Sequence, residues 1–369
     1  MNVLKRVFSD KVLWIAGAAA IITSFISPPQ LSDINWKTIT SLLSMMIIIQ
    51  IYDYLDLLKY YASYLTRRAK TQQQLVFMLA SLSFFGAMFL TNDVTILTLV
   101  PLFYKITKNL KINPIYPVII IVLAANLGSI FTPFGNTHNL FLLTHFNLNI
   151  SQFFVMSTPM TIVNFIVIFI VTRFFKKKKI ELTELPSVDL NMPHLTLTLG
   201  VTIVIFLGIF SVIPMWSSLV AALLLVVFIN PKILQVVDYS IVLIFMCFFI
   251  AVGNINRDPS IVNHLSGLIQ SKTGTYLTSI ITSQFISNVP TTILVSKFSS
   301  YVHAIFLGTN VGGLGSVVAS LANLLAFKQY RYYFKKDPGE YLIRFSVVNF
   351  SLLIILGIVG FFLIDIIPT

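Results

Sequence analysis

Apolar runs of bilayer-crossing length dominate the sequence. They cover 12–27, 37–58, 156–175, 195–212, 214–229, 238–253 and 342–367, and a helix needs roughly 20 apolar residues to cross the hydrocarbon core. Hydrophobic residues make up 56% of the 369 positions and charged residues 10%. A soluble domain carries about 25% charged residues, so this chain has too few to cover a water-facing surface. A soluble enzyme, a disordered chain and a nucleic-acid reader are excluded, despite a net charge of +12. The expected class is an all-α polytopic membrane protein.

Several chemistries drop out next. The single cysteine, Cys247, lies in an apolar run and offers neither an internal disulfide nor a thiolate metal cluster. The five histidines (His138, His145, His194, His264 and His303) form no i,i+4 pair and no HExxH. There is no GxxxxGK[ST] loop, so an ATP-driven pump is not expected. An intramembrane enzyme or electron carrier would need paired carboxylates, a histidine pair or a Ser/Lys dyad inside the spans, and the spans contain none. The chain is read as no enzyme, with no cofactor beyond Na⁺ or H⁺ as a coupling ion.

Basic residues set the topology, because Lys and Arg collect on the cytoplasmic side. Lys5, Arg6 and Lys11 precede the first run, which resembles a signal peptide but is followed by many spans and is read as an uncleaved helix with its N-terminus in the cytoplasm. Segments 74–106, 115–146 and 271–302 are too long for one helix and too short for two crossings. Arg67, Arg68 and Lys70 precede 74–106, and Lys105, Lys108 and Lys111 end or follow it, so this segment enters and leaves on one side as a re-entrant hairpin. Segment 115–146 crosses once, 271–302 is a hairpin entered from outside, and 303–327 crosses back to Lys328, Arg331, Lys335 and Lys336. Lys37, Arg257, Lys272 and Lys297 are then the only basic residues of the 25 on the outer side. The expected organisation is a first repeat over 1–175, a basic cytoplasmic linker over 176–194 with Lys176 to Lys179, and a second repeat with one extra span over 195–369.

The repeat is visible in the residues. Asn126, Gly128, Thr132, Asn139 and Leu140 match Asn310, Gly312, Ser316, Asn323 and Leu324 at a constant offset of 184. Upstream of each set lies a polar triplet near the middle of a hairpin, Thr91-Asn92-Asp93 and Ser287-Asn288-Val289. Four spans separate the copies, so they cross the membrane in opposite senses. Inverted repeats with broken helices are typical of secondary transporters that hold substrate at the midplane. Broken backbone survives there only against protein or a wet cavity. Helix starts at the breaks offer N–H groups and partial positive charge to an anion, while carbonyls and hydroxyls suit Na⁺.

The segments TNDVTILTLVPL (91–102), NLGSIFTPFGNTHNLFL (126–142), SQFISNVPTTIL (283–294) and NVGGLGSVVASLANLLA (310–326) resemble the ion transporter superfamily. It contains divalent anion–sodium symporters, citrate transporters and arsenite permeases; the nearest likeness is a compact bacterial anion-permease branch. The resemblance covers roughly 35–370. It implies two inverted-topology repeats, each with a re-entrant helical hairpin and a discontinuous transmembrane helix. It also implies a bacterial cytoplasmic-membrane transporter for a small anionic substrate, and a homodimer. The family's Ser-Asn-Thr motifs match Thr91, Asn92, Asp93 and Ser287, Asn288, Val289, with both third positions departing from Thr.

The expected substrate and ion ligands are Thr91, Asn92, Asp93, Thr132, Gly135, Asn136, Thr137, Ser287, Asn288, Ser316, Ser320 and Asn323, with Na⁺ at Asn92, Asp93 and Asn288. Asp93 is the one acidic residue placed deep in the membrane, where carboxylates are costly and functional by default; its competing role is a helix cap. His138 is the second candidate for proton coupling. The expected activity is ion-coupled transport of a carboxylate or oxyanion, citrate- or arsenite-like. The alternatives are a sodium/proton antiporter using Asp93, and a channel. In a Cys247→Ser background, Lys108→Cys should resist a membrane-impermeant thiol reagent applied from outside the cell; strong external labelling there would overturn the first hairpin and the repeat built on it.

Overall fold

The computed structural model of the chain describes residues 7–66, 68–108, 110, 112–180, 189–260, 267, 269–335 and 337–366. Lys5, Arg6, Arg67, Lys111, His264, Lys336 and positions 181–188 of the basic linker lie outside the described residues. In order, the helices are α1 (Lys11–Thr23), α2 (Trp36–Tyr54), α3 (Leu57–Thr66), α4 (Gln72–Leu90), α5 (Asn92–Thr107), α6 (Ile115–Gly128), α7 (Thr137–His145) and α8 (Ile150–Arg173). They continue as α9 (Met192–Ile209), α10 (Met215–Ile229), α11 (Tyr239–Asn256), α12 (Lys272–Ile286), α13 (Asn288–Phe298), α14 (Val302–Gly312), α15 (Leu321–Phe334) and α16 (Pro338–Ile366). Among the described residues the sole β pairing is an isolated bridge between Thr71 and Lys179. Helices α4, α8, α9, α11 and α16 are each long and apolar enough to cross a membrane.

Short polar side chains start many of these helices by accepting otherwise unpaired N–H groups. Asp10 Oδ1 accepts from Val12 N at 2.7 Å, Asn35 from Thr38 N at 3.0 Å and Asp238 from Ser240 N at 3.1 Å. Asn149 and Gln152 cap α8 reciprocally. Within helices, Ser and Thr hydroxyls donate to the carbonyl four residues back, as Ser44 does to Thr40 at 2.8 Å and Thr292 to Asn288 at 2.7 Å. That removes each O–H from an apolar surrounding. Helix α16 is apolar on all sides. Tyr341, Phe345, Leu352 and Leu356 are buried, while Ile343, Val347, Ile354, Ile358 and Phe362 are exposed at helical spacing, as in a span with one face on protein and one on lipid.

One element departs from the expected spans. The run 37–58 stops as a helix at Tyr54, and the chain turns through Asp56 at φ 56°, a backbone region that Asp tolerates better than most residues. The chain then leaves at 45° as α3. This helix buries Leu58, Ala62 and Ser63 and exposes Tyr61 and Tyr64, so the stretch between the second span and the first hairpin is an amphipathic helix.

The centre is built from two similar assemblies. In each, the first arm of a hairpin packs on the first half of the following broken segment, α4 on α6 and α12 on α14. The second half of each broken segment then packs on the other hairpin's return arm, α7 on α13 and α15 on α5. Glycine permits the close first contact. A Cβ on Gly128 would lie 2.0 Å from the Phe84 carbonyl oxygen, and one on Gly312 would lie 2.8 Å from Ser283 Cβ. Backbone cannot move aside as a flexible side chain can, so Gly128→Ala should destabilise by roughly 1–3 kcal/mol. Gly200→Ala, where a Cβ meets nothing within 4 Å, should be neutral or stabilising. Thermal unfolding of detergent-purified variants checks this, and equal behaviour of the two would refute the close-packing argument.

Candidate functional site

The hairpin tips share one strained geometry. Thr91 has φ 66° and ψ 154°, and Ser287 has φ 74° and ψ 156°, a region that is otherwise almost exclusively glycine's and costs about 1–3 kcal/mol per residue. Each tip is held by the adjacent break. Asn92 N donates to Gly135 O at 3.0 Å, and Asn288 N to Ala319 O at 2.9 Å. The Thr132 hydroxyl donates to Met88 O, and the Ser316 hydroxyl to Gln284 O at 3.0 Å. Those hydroxyls also accept from Gly135 N at 3.1 Å and Ala319 N at 3.0 Å. Thr132 and Ser316, expected as ligands, thus tie breaks to hairpins.

Four asparagines join the halves. Asn126 Nδ2 donates to Asn323 Oδ1 at 2.7 Å, and Asn310 Nδ2 to Asn139 Oδ1 at 2.8 Å. Asn139 and Asn323 in turn donate to Ser129 O at 3.2 Å and Gly313 O at 3.0 Å. The first tip is linked in through Asn92 Nδ2, which donates to Asn126 Oδ1 at 3.0 Å. The second tip has no matching bond among the described residues; Asn288 Oδ1 accepts only a long bond from Ser287 Oγ at 3.4 Å. No hydrogen bond joins Asn288 to Asn92 or Asp93. Asn126, Asn139 and Asn310 were absent from the expected ligand set, although their recurrence at one offset marks them.

Asp93 is not the cap of α5. That position belongs to Thr91, whose Oγ1 accepts from Val94 N at 3.4 Å. Asp93 instead lines a cavity of 360 Å³ together with Thr91, Thr137, Gln50, Asp238 and Lys328, and its Oδ1 is buried without a hydrogen-bond partner. The cavity wall is otherwise largely apolar, including Met46, Ile49, Leu97, Ile241, Leu321, Leu324 and Leu325. Asp238, which caps the start of α11, faces the same space. Thr137 and Leu321 are the first residues of α7 and α15, and neither preceding residue, Asn136 or Ser320, makes a side-chain cap. Ser320 Oγ instead lies 3.5 Å from Asn126 Oδ1. His138 is fully buried with neither ring nitrogen bonded and does not line the cavity. No group of three His, Cys, Asp or Glu suited to a metal exists among the described residues; a cation here would rely on Asp93 with hydroxyl and carbonyl oxygens.

Known proteins resemble the chain in sequence and in fold. The chain is 27% identical over 341 residues to the inner membrane protein YbiR of Escherichia coli, covering 91% of this chain and 89% of that one. It is 28% identical over 319 residues to the transporter MJ0456 of Methanocaldococcus jannaschii, covering 85% and 86%. The crystal structure of the Alcanivorax borkumensis YdaH transporter, described as having an unusual topology, superposes with a TM-score of 0.57 at 12% identity over 88% of this chain and 85% of that one, a likeness of fold. The citrate transporter family model CitMHS matches residues 2–299. With paired hairpins, paired breaks and that match over most of its length, the chain belongs to the CitMHS citrate transporter family of membrane transporters.

Proposed function

We propose that the chain is a secondary active transporter. It moves a small anion, a carboxylate or oxyanion, across the bacterial cytoplasmic membrane by alternating access between two inverted halves, coupled to H⁺ or Na⁺. The observation that carries this reading is the convergence of two helix starts without side-chain caps, at Thr137 and Leu321, on one cavity that also holds a partnerless carboxylate oxygen of Asp93. Helix starts of this kind offer N–H groups to an anion, and Asp93 offers charge to its coupling cation. The cavity also reaches Ser9, Asp10 and Lys328, at helix ends that the basic-residue pattern assigns to the cytoplasm. This is the arrangement of an inward-facing state.

A second reading, sodium/proton antiport, is favoured by one feature: Asp93 and Asp238 line the same cavity, and Asp93 has no acidic counterpart on the second hairpin, where Val289 stands. Transport of labelled anions in proteoliposomes under imposed pH and sodium gradients separates the two. Gradient-driven anion accumulation supports the first reading, and cation exchange without any anion flux supports the second.

The tips themselves are tested by Asn92→Ala and Asn288→Ala. Each should lower transport sharply at preserved folded yield, with Asn92→Ala also costing about 0.5–1.5 kcal/mol for the hydrogen bond lost to the Asn126 oxygen, which keeps only the longer contact from Ser320 Oγ. Wild-type rates in both variants would move the site away from the tips. Asp93→Asn retains size and removes the charge. It should abolish gradient-driven accumulation while sparing substrate exchange at equal ion concentrations. Accumulation with unchanged gradient dependence would show that coupling does not run through Asp93.

A further inference from the structure

At the base of the first hairpin, two stretches distant in sequence are bonded together. Helix α8 ends at Arg173, and the chain beyond it, Lys176 to Lys179, turns back onto the residues that start α4. Thr71 and Lys179 form an antiparallel bridge. Gln72 N donates to Lys178 O at 2.9 Å, and Ile180 N to Lys70 O at 3.2 Å. Gln73 Nε2 donates to Arg173 O at 2.8 Å. A topology signal needs only to lie on the right side of the membrane. This basic run is instead fixed by backbone bonds across the foot of a re-entrant hairpin, so its charges have a set place.

Those charges are unspent. Lys70, Arg173 and Lys176 to Lys179 are all exposed. None of them takes part in an ion pair among the described residues; Glu181 and Glu184 lie outside the described residues. Like charges gathered at one edge repel one another, and the bridge holds them together all the same. An anion seated among them relieves that repulsion.

The surface beneath the charges is apolar and aromatic. Helices α4 and α8 pack together, and both are long and apolar enough to cross a membrane. Rings line their seam. Phe77 meets Phe169 edge-on at 5.9 Å, and Phe165 meets Phe84 at 5.5 Å and Phe85 at 5.6 Å. Phe85, Phe165 and Phe169 are exposed on the outside of the bundle. The Arg173 guanidinium lies over the Phe169 ring at 4.3 Å, so the charged patch and the aromatic seam are continuous. At the rise of an α-helix, Phe169 and Phe165 lie about 6 and 12 Å below Arg173, within one leaflet of a hydrocarbon core about 30 Å thick. A free anion would use the upper part of this surface alone. A molecule with an anionic head and an apolar tail would use both parts, gaining attraction to the charges and burial of its chain.

We infer that the foot of α4 and the end of α8 form a binding site for an anionic phospholipid of the cytoplasmic leaflet, with its headgroup phosphate among Arg173, Lys70 and Lys176 to Lys179 and an acyl chain along the Phe85, Phe165 and Phe169 seam. The bound lipid fastens the base of the first hairpin through the bridge. The site lies apart from the Asp93 cavity and is independent of which substrate or coupling ion is carried.

The test uses the full-length protein purified in a non-ionic detergent. Native mass spectrometry and melting temperature are followed while it is titrated with phosphatidylglycerol, with phosphatidylcholine of the same chains, and with glycerol phosphate. Phosphatidylglycerol should stay bound and raise the melting temperature, and the other two probes should do neither. In nanodiscs, amide exchange at Gln72 and Ile180 should be slower with phosphatidylglycerol than with phosphatidylcholine. Lys178→Gln with Lys179→Gln should weaken phosphatidylglycerol binding about tenfold or more, for two charges lost near the headgroup. Lys105→Gln with Lys108→Gln, which removes two exposed charges from the other arm of the same hairpin, should leave it unchanged. Equal weakening by both pairs would mean diffuse attraction to a basic surface and no site. Glycerol phosphate acting as well as the lipid would mean an anion site without a lipid, and phosphatidylcholine acting as well would mean that the charges do not select; either overturns the inference. The ranking of the three probes on the unmodified protein decides the matter even where a variant folds poorly.

Discussion

A carboxamide buried in a membrane has to donate and accept at once, since no water is present to take either role. The centre of this chain is organised around that demand. Asn126 pairs with Asn323 and Asn139 with Asn310, each pair made of one residue from either half. Asn139 and Asn323 also hold the backbone of their own break, at Ser129 and Gly313. One side chain thereby sets the shape of a break and fastens it to the opposite half. An unpaired buried partner would cost about 1–3 kcal/mol, so the two halves cannot separate here without replacing these bonds. The hairpin tips depend on the same parts, because the carbonyls that receive Asn92 N and Asn288 N lie at the far ends of the two breaks. The strained backbone at Thr91 and Ser287 persists because each tip is held from both flanks.

Against this matched backbone, the differences between the halves stand out. Gln284 occupies the place of Met88, and its Nε2 donates to Gly312 O at 2.7 Å while its Oε1 accepts from Ser316 N at 3.0 Å. The second hairpin is thus tied to its break by a side chain that the first hairpin lacks. The first hairpin instead carries Asp93, and its Asn92 reaches the central asparagines directly. A cavity reaches the first tip at Thr91 and Asp93. The two halves thus share a backbone arrangement at their tips and differ in the side-chain bonds that hold it.

How much of this is legible in the sequence depends on the kind of signal. Both hairpins and both breaks are legible, because a bilayer leaves short polar residues and glycine few roles inside long apolar runs besides breaking a helix or lining a wet cavity. The constant spacing of Asn126, Gly128 and Asn139 with Asn310, Gly312 and Asn323 is legible for the same reason. The roles within the motifs are not. Thr132 and Ser316 look like ligands, but hairpin carbonyls take their hydroxyls, and only the fold brings Met88 and Gln284 to them. Asp238 and Lys328 look peripheral because they sit at span ends in the sequence. The cavity runs from the tip to those ends, and a linear reading has no measure of that depth. Helix α3 is hidden by its own amphipathicity, since the described residues it turns to the core, Leu57, Leu58, Ala62 and Ser63, are interspersed with three tyrosines and Lys59.

The helices that border the cavity are unequal along their length, which bears on what can move. Helices α1 and α11 pack together. At one end, Asp10, Val12, Asp238 and Ile241 face the cavity. At the other end Arg257 closes the pair. Its Nη1 meets both Asp33 oxygens at 2.9 and 3.0 Å, its Nε donates to Ser27 Oγ at 2.7 Å, and its Nη2 donates to Pro28 O at 2.9 Å and Asn254 Oδ1 at 2.6 Å. Asn254 Nδ2 continues the lock to Thr23 and Ser24. A Cβ at Gly253 would lie 2.3 Å from the Asp33 carboxyl carbon, so the loop sits directly on the helix backbone. A planar guanidinium with all of these donors engaged tolerates little rotation of the groups around it. On the topology set by the basic residues this lock is external, while the same two helices border open space on the cytoplasmic side. Motion that opened the outer face along this pair would have to break a guanidinium–carboxylate fork and its carbonyl partners together. The hairpins are held to their breaks by hydrogen bonds between uncharged groups, Asn92 N to Gly135 O and Asn288 N to Ala319 O among them, with no ion pair at either tip among the described residues. The α1–α11 pair is therefore a firmly fastened border of the cavity, tied at the end opposite Asp10 and Asp238.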